Sequence, residues 1–352
     1  MVQTTCDPGL AGEDLAIEAA WDAVVEEFGA VDRALSGFHA DSESSRCQAD
    51  DDWDGASWRL RTALVLCDRA HRATGGRFDP RVLTALQRHG FGPPDSPLRP
   101  APARLAFPGR PTPADPPADG PRSTSVLERG GRSLRPTDRI DLGGIGKGLA
   151  LRWAARAAAG YLARRGFLID AGGDIATGAA RPADPTQPGR WSIAIEDPLG
   201  GAMPVATFAL SPGMAVATSS IRVWHRERAN GVPVHHLIDP RTGLPGGDGL
   251  AAVTVAWPDP AWAEVWSKSL FLAGASGIAE EARKRGLAAW WVGTDGLLAM
   301  TPAARVATTW VRDEASAWRR VSPRGAVDPN RSATHGQATD RWARGRSIPA
   351  RG

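Results

Sequence analysis

Lysine is nearly missing from this 352-residue chain. Of its 42 basic residues, only Lys147, Lys268 and Lys284 are lysines. Cysteine is as scarce: Cys6, Cys47 and Cys67 form no C-x-x-C pair. An odd count with that spacing argues against a disulfide framework and a structural zinc site. No run of about 18 apolar residues occurs, so no membrane-spanning helix is expected. The first residues carry Asp7, Glu13 and Asp14 and no apolar stretch, which predicts no signal peptide and a cytoplasmic location. Strong charge of either sign is also lacking, with a formal net charge of +3. Residues 313–352 hold eight Arg against four acids, which leaves 34 basic and 35 acidic residues elsewhere. The body has no basic stripe interleaved with aromatics, so nucleic acid is not an expected partner.

What is present is globular: 42% hydrophobic and 23% charged residues, enough to bury a large core without staples. Residues 13–35 place Ala16, Ala20, Val24, Phe28, Val31 and Leu35 near helical spacing. A polar loop is expected at residues 41–46, a second helix over 58–74 ended by Gly75-Gly76, and a short third helix from Arg77 to Gln87. Residues 93–121 contain eleven prolines in 29 positions and read as an extended insertion. A hairpin follows around Gly130-Gly131. From residue 138 onward, Gly-rich turns, helices and strands alternate up to about residue 312. This divides the chain into a helical part (1–92), a Pro-rich insertion (93–122), a main α/β core (123–312) and an Arg-rich tail (313–352).

Four segments carry chemistry. Asp141-Leu142-Gly143-Gly144-Ile145-Gly146-Lys147-Gly148 is a glycine-rich entry to a helix. Such a turn lets backbone N–H groups approach phosphate, and a helix N-terminus adds positive potential. It is not a P-loop, since Asp141 replaces the first glycine and Gly148 the hydroxyl residue. Taken alone, it reads equally as a tight turn with an incidental lysine. Asp170-Ala171-Gly172-Gly173-Asp174 is a strand end and glycine turn, read first as a hairpin. His235-His236-Leu237-Ile238-Asp239-Pro240-Arg241-Thr242-Gly243 could orient an anion or relay a proton, or be only a turn. Glu264 and Lys268 stand i, i+4 on a predicted helix, the spacing of a surface ion pair.

In their order along the chain, these segments resemble the ApbE family of FAD:protein FMN transferases. Asp41-Ser42-Glu43, Gly76-Arg77-Phe78-Asp79-Pro80, Ala217-Thr218-Ser219 and Ala263-Glu264 complete the set. The resemblance covers roughly residues 13–92 and 123–300. It implies a mixed α/β (α+β) fold, T-fold-like, with a mostly antiparallel sheet and flanking helices. It implies cleavage of the FAD pyrophosphate, transfer of FMN to a Thr or Ser hydroxyl of an acceptor flavoprotein, and release of AMP with help from Mg²⁺. FAD, here a substrate, would lie in a groove between the helical part and the core. By motif position, Phe38, Arg77, Phe78, Asp79, Asp141, Lys147 and Ile238 match FAD contacts. Gly144, Glu264 and Ser267 match the metal site, and His236 is the candidate for the acceptor proton. The alternatives are a non-catalytic FAD-binding protein and a metal-dependent FAD pyrophosphatase.

The chain departs from the pattern in the metal segment, in its opening strand and in showing no export signal, which many members carry. Glu264 replaces the usual Asp. Lys268 replaces a Thr ligand, and a charged lysine has no lone pair to give Mg²⁺. The family's opening strand, with its Met-Gly-Thr signature, is not found before Glu13.

Overall fold

A computed structural model describes residues 2–6, 14–91, 125–130, 133–162, 166–178, 190–222, 225–227 and 233–312. The Pro-rich insertion and the Arg-rich tail lie outside these. The chain opens with β1 (Val2–Cys6) and four helices, α1 (Asp14–Leu35), α2 (Glu43–Asp50), α3 (Trp58–Thr74) and α4 (Leu83–Arg88). The hairpin β2 (Leu127–Gly130) and β3 (Ser133–Pro136) leads to α5 (Gly146–Tyr161), β4 (Phe167–Ala171) and β5 (Asp174–Thr177). Strands β6 (Trp191–Ile195), β7 (Ala206–Leu210), β8 (Ala215–Ser220), β9 (His225–Glu227) and β10 (Pro233–His235) follow. Next come β11 (Ile238–Asp239), β12 (Leu244–Pro245) and the long β13 (Leu250–Trp257). The described chain closes with α6 (Pro260–Phe271), α7 (Gly274–Lys284), β14 (Ala288–Gly293), β15 (Leu298–Met300), α8 (Pro302–Ala307) and β16 (Thr308–Val311).

The main sheet has seven strands in the order β1-β4-β5-β8-β13-β14-β15, each pair antiparallel. Strand β13 is buried almost along its whole length because both faces are covered. That is why Leu-Ala-Ala-Val-Thr-Val-Ala-Trp reads as a continuous apolar run rather than an alternation. Val253 and Val255 face α6 and α7 through Leu270, Phe271 and Ile278. On the other face, Ala256, Trp290 and Val292 meet Phe208 and Ile193 of the β16-β7-β6 sheet. Helix α5 packs on α1 through Ala20, Val24, Leu151 and Ala154. It also crosses α6.

Local chemistry sets the helix ends. Ser57 caps α3 by accepting from the Leu60 N–H at 3.3 Å, and Gly75 ends it at φ 62°, a left-handed conformation glycine adopts without strain. Asp259 caps α6 from the Trp262 N–H at 3.1 Å, with Pro260 in the first turn.

Three expectations are corrected. The polar loop at 41–46 is the start of α2, because Ser42 accepts from the Ser45 N–H and nucleates a turn. The helix expected from Arg77 begins only at Leu83. The Asp79 carboxylate accepts from the Arg81 N–H at 2.9 Å and holds residues 79–81 in a local turn. The strand not found before Glu13 is present: β1 pairs with β4, Val2 opposite Ala171 and Cys6 opposite Phe167. Without the signature sequence, five residues are too short a pattern to mark it.

Candidate active site

Helix α5 begins where the glycine-rich turn ends, and Lys147 stands in its first turn. The Lys147 ammonium is half exposed and bonded to the buried Asp174 carboxylate. Asp174 also accepts the Thr218 N–H at 2.9 Å, so β5 and β8 hold the lysine in place. Glu264 reaches in from α6. One of its oxygens accepts the Gly148 N–H at 2.8 Å, and the other accepts from Lys268 Nζ at 2.9 Å, with Lys147 Nζ 3.8 Å away. Glu264 thus caps α5 with a carboxylate, where the helix dipole favours negative charge.

The turn itself fits between the two helices. Gly148 lets α5 and α6 touch: a Cβ there would lie 2.5 Å from Ala261 Cα. A Cβ on Gly144 would lie 3.5 Å from the Phe78 ring and 3.6 Å from Lys268 Cε. The Asp141 N–H donates to the Pro80 carbonyl at 2.7 Å. Its carboxylate faces Gly37, where a Cβ would lie 3.5 Å away. Phe38, next in sequence, is 49% exposed. Five of the expected positions, Phe78, Asp141, Gly144, Lys147 and Glu264, therefore meet around one point, with Phe38 at its edge. Lys268, expected at the metal position in place of a Thr ligand, joins them, and so does Asp174, which was not among the candidate site residues. Asp174 had a signal, the Gly172-Gly173 turn that delivers it, but its partner lies 27 positions away.

Two expected FAD contacts have partners within the protein. Asp79 is buried against Arg81 and His71. Burial alone would raise its pKa. The hydrogen bonds from His71 and Arg81 outweigh that and hold it well below the carboxylate range. Arg77 pairs with Glu281 of α7 at 3.4 Å. Ile238 is buried in a small cluster with Ala85, Leu86, Phe91 and Val234. His236 is half-buried and edge-on to Phe91, with ring centroids 6.3 Å apart. The preceding His235 packs on Phe271 at the far end of α6. Helix α6 therefore links the histidine segment to Glu264, seven residues and about 10 Å apart along its axis.

Charge in the cluster is set by enclosure and by the two lysines. Burial pushes Glu264 up, but Lys268, Lys147 and the Gly148 N–H hold it below its ordinary value. Burial also works against the Lys147 charge, and Asp174 and then Glu264 outweigh it and raise its pKa. Asp141 shifts the other way. Its enclosure raises the carboxyl, and the Gly143 N–H and Lys268 only partly offset that. A carboxyl with a raised folded pKa opposes folding above its unfolded value and is neutral in both states well below it. Asp141→Asn should therefore raise the melting temperature by roughly a few degrees at pH 7, with the gain fading below about pH 4. Calorimetry at the two pH values checks this.

His235 titrates in the opposite sense. Burial, then the neighbouring His236, pushes it down to about 3. It stays neutral in the fold while an unfolded histidine protonates near 6.5, so stability is lost as pH falls below 6.5. Denaturant titrations should show roughly 3 kcal/mol lost between pH 7 and 4 through this residue alone, and His235→Gln should abolish that share.

A divalent cation needs free oxygen donors, and those present are engaged. The Ser267 hydroxyl, fully buried, donates to the Glu264 carbonyl at 3.0 Å and pairs with Ser219 Oγ at 2.8 Å. Both Glu264 oxygens are taken, and Lys268 fills the space beside Gly144. An ammonium and a divalent ion about 4 Å apart repel by roughly 8 kcal/mol at an effective dielectric constant near 20, which cancels the pull of one carboxylate at that distance. The set of Gly144, Glu264 and Ser267 does not fit Mg²⁺ in this arrangement. Among the described residues, no cluster of three His, Cys, Asp or Glu side chains is placed to hold a metal.

An antiparallel sheet flanked by helices, with a lysine–carboxylate cluster at a glycine-lined helix start, defines a mixed α/β protein with a built polar site. The chain belongs to the ApbE family, whose model matches residues 3–291. It is similar to the FAD:protein FMN transferase of Salmonella typhimurium, 28% identical over 232 residues, which are 63% of this chain and 61% of that protein. The corresponding protein of Klebsiella pneumoniae is 26% identical over 295 residues, 79% of this chain and 78% of that one. Two solved structures share the fold. The ApbE protein of Thermotoga maritima has a TM-score of 0.69 at 22% identity, covering 87% of this chain and 99% of its own. The Pseudomonas stutzeri flavinyl transferase ApbE has 0.64 at 21%, covering 87% and 96%. Among the described residues, no helix is long and apolar enough to cross a membrane.

Proposed function

We propose that this protein transfers FMN from FAD to a Thr or Ser hydroxyl of an acceptor flavoprotein and releases AMP. The observation that carries the reading is the half-exposed Lys147 in the first turn of α5, held by Asp174 and Glu264. Family membership and the names of the relatives support it. In the transfer, the acceptor oxygen forms a bond to the FMN phosphorus, the anhydride bond breaks, and AMP leaves with its phosphate oxygen. The hydroxyl proton goes to a base; the resemblance offers His236, which packs against Phe91 rather than within the lysine cluster. Phosphoryl transfer needs charge stabilisation more than covalent help. Lys147 supplies it from the first turn of α5. Exposed Phe38 offers a stacking face for the flavin ring.

The resemblance also carries Mg²⁺, and the donors around Glu264 do not support it at that place. None of the steps above depends on it. The test is incubation with FAD and candidate acceptor domains bearing a Thr or Ser site. Acceptor flavin fluorescence after denaturation and stoichiometric AMP are the expected results. FMN released without acceptor labelling would make the chain a pyrophosphatase, and intact FAD on the protein would make it a binding protein.

A further inference from the structure

We propose that Lys268 is a resident cation, its ammonium joining Lys147 to neutralise the pyrophosphate of the bound dinucleotide in place of a divalent ion. The inference rests on the proposed FAD reading. Three observations carry it. First, Lys268 lies among oxygens a hard cation would use: Glu264 Oε1 at 2.9 Å, with the Asp141 carboxylate and the Gly144 turn beside it. Second, its stem packs along Gly144, where a Cβ would sit 3.6 Å from Cε and 3.7 Å from Cδ, so the glycine leaves room for this side chain. Third, the lysine is not a solvated surface group. Its side chain is 19% exposed and its partner Glu264 only 1%.

An ammonium held this way is already in position when the ligand binds. Glu264 anchors it, and the residual exposure leaves one side open to a ligand oxygen. Lysine acts on phosphate as a point charge, so it needs no coordination geometry. Lys147 Nζ lies 3.8 Å from the same Glu264 oxygen that Lys268 bonds. Two ammonium groups gathered at one carboxylate oxygen bring two positive charges to the place where a pyrophosphate would bind. The chain contains three lysines in all, and two of them are here.

The experiment measures FAD dissociation constants by flavin fluorescence, with Mg²⁺ in excess or with EDTA. Wild-type protein should differ by less than about twofold between the two. Lys268→Met should bind at least about tenfold more weakly in EDTA, Lys268→Arg should stay within about threefold of wild type, and Lys268→Thr should lose affinity in EDTA and recover it with Mg²⁺. Melting curves establish that each variant is folded. If Lys268→Met unfolds, the double variant Glu264→Gln with Lys268→Met removes the pair together and serves in its place. Wild-type binding that requires Mg²⁺, or Lys268→Met binding as tightly as wild type, overturns the inference and leaves the transferase reading standing. Absence of FAD binding under either condition overturns both.

Discussion

Lys147→Ala should lower the rate of AMP release from FAD by about two to three orders of magnitude, the usual cost of removing a charge aimed at a phosphoryl or oxyanion transition state. It should also lower stability, for a separate reason. Asp174 is buried, and without the lysine its carboxylate keeps, among the described residues, the Thr218 N–H. An uncompensated buried charge costs roughly 3–5 kcal/mol. The two effects separate in the double variant Lys147→Ala with Asp174→Asn, which removes the stranded charge. Its melting temperature should return close to wild type while AMP release stays low. Recovery of both would mean that Lys147 serves only to neutralise Asp174.

Gly148→Ala is expected to be strongly destabilising. The added Cβ would stand 2.5 Å from Ala261 Cα, 2.7 Å from the Pro260 carbonyl oxygen and 2.9 Å from the Ala261 nitrogen. All three are backbone atoms of the first turn of α6, so no side chain can turn aside. Helix α6 must move away, taking Glu264 and Lys268 with it and stretching the 2.8 Å Gly148–Glu264 bond. Overpacking of this kind costs about 3 kcal/mol, a fall of roughly 4–6 °C in melting temperature for a chain of this size. Gly160→Ala in the same helix is the control. It is exposed, nothing lies within 4 Å of the place its Cβ would take, and helix propensity favours the change by about 0.5–1 kcal/mol. Scanning calorimetry of the two variants should give shifts of opposite sign, and equal shifts would remove the argument from close helix approach.

Both variants alter helix α5, and the turn that opens it is readable from the sequence. Asp141 to Gly148 announces a glycine-lined helix start by residue type alone, because close backbone approach restricts the choice at such places. The ends of α3 are readable for the same reason, since Ser57 and Gly75 act on neighbours a few residues away. The start of α2 is not, even though Ser42 caps it, because a short polar helix has no apolar periodicity to reveal it. Glu264 and Lys268 show the limit from the other side. Their spacing correctly places them in contact, and the usual inference from spacing puts them on the surface. Glu264 is buried and Lys268 largely covered because α5 and the sheet pack on that face of α6, which no count of i, i+4 pairs contains.

The histidine segment makes the same point. Sequence order brings His236 and Ile238 forward with the other motif residues. In the fold they pack beside α4 and Phe91, joined to the lysine cluster through the length of α6.

The scarcity of lysine is where local and tertiary information meet. The sequence by itself determined that Lys147 stands at a glycine-rich helix start, and that Lys268 is spaced to reach Glu264. Both follow from chemistry within a few residues. Only the tertiary structure decided that these are one site. Gly148 is 116 positions from Glu264, and Lys147 is 27 from Asp174. Those pairs form because antiparallel pairing of β5 with β8, and the close crossing of α5 on α6, bring distant segments together, and an unpaired carboxylate in that enclosed space would be too costly to keep.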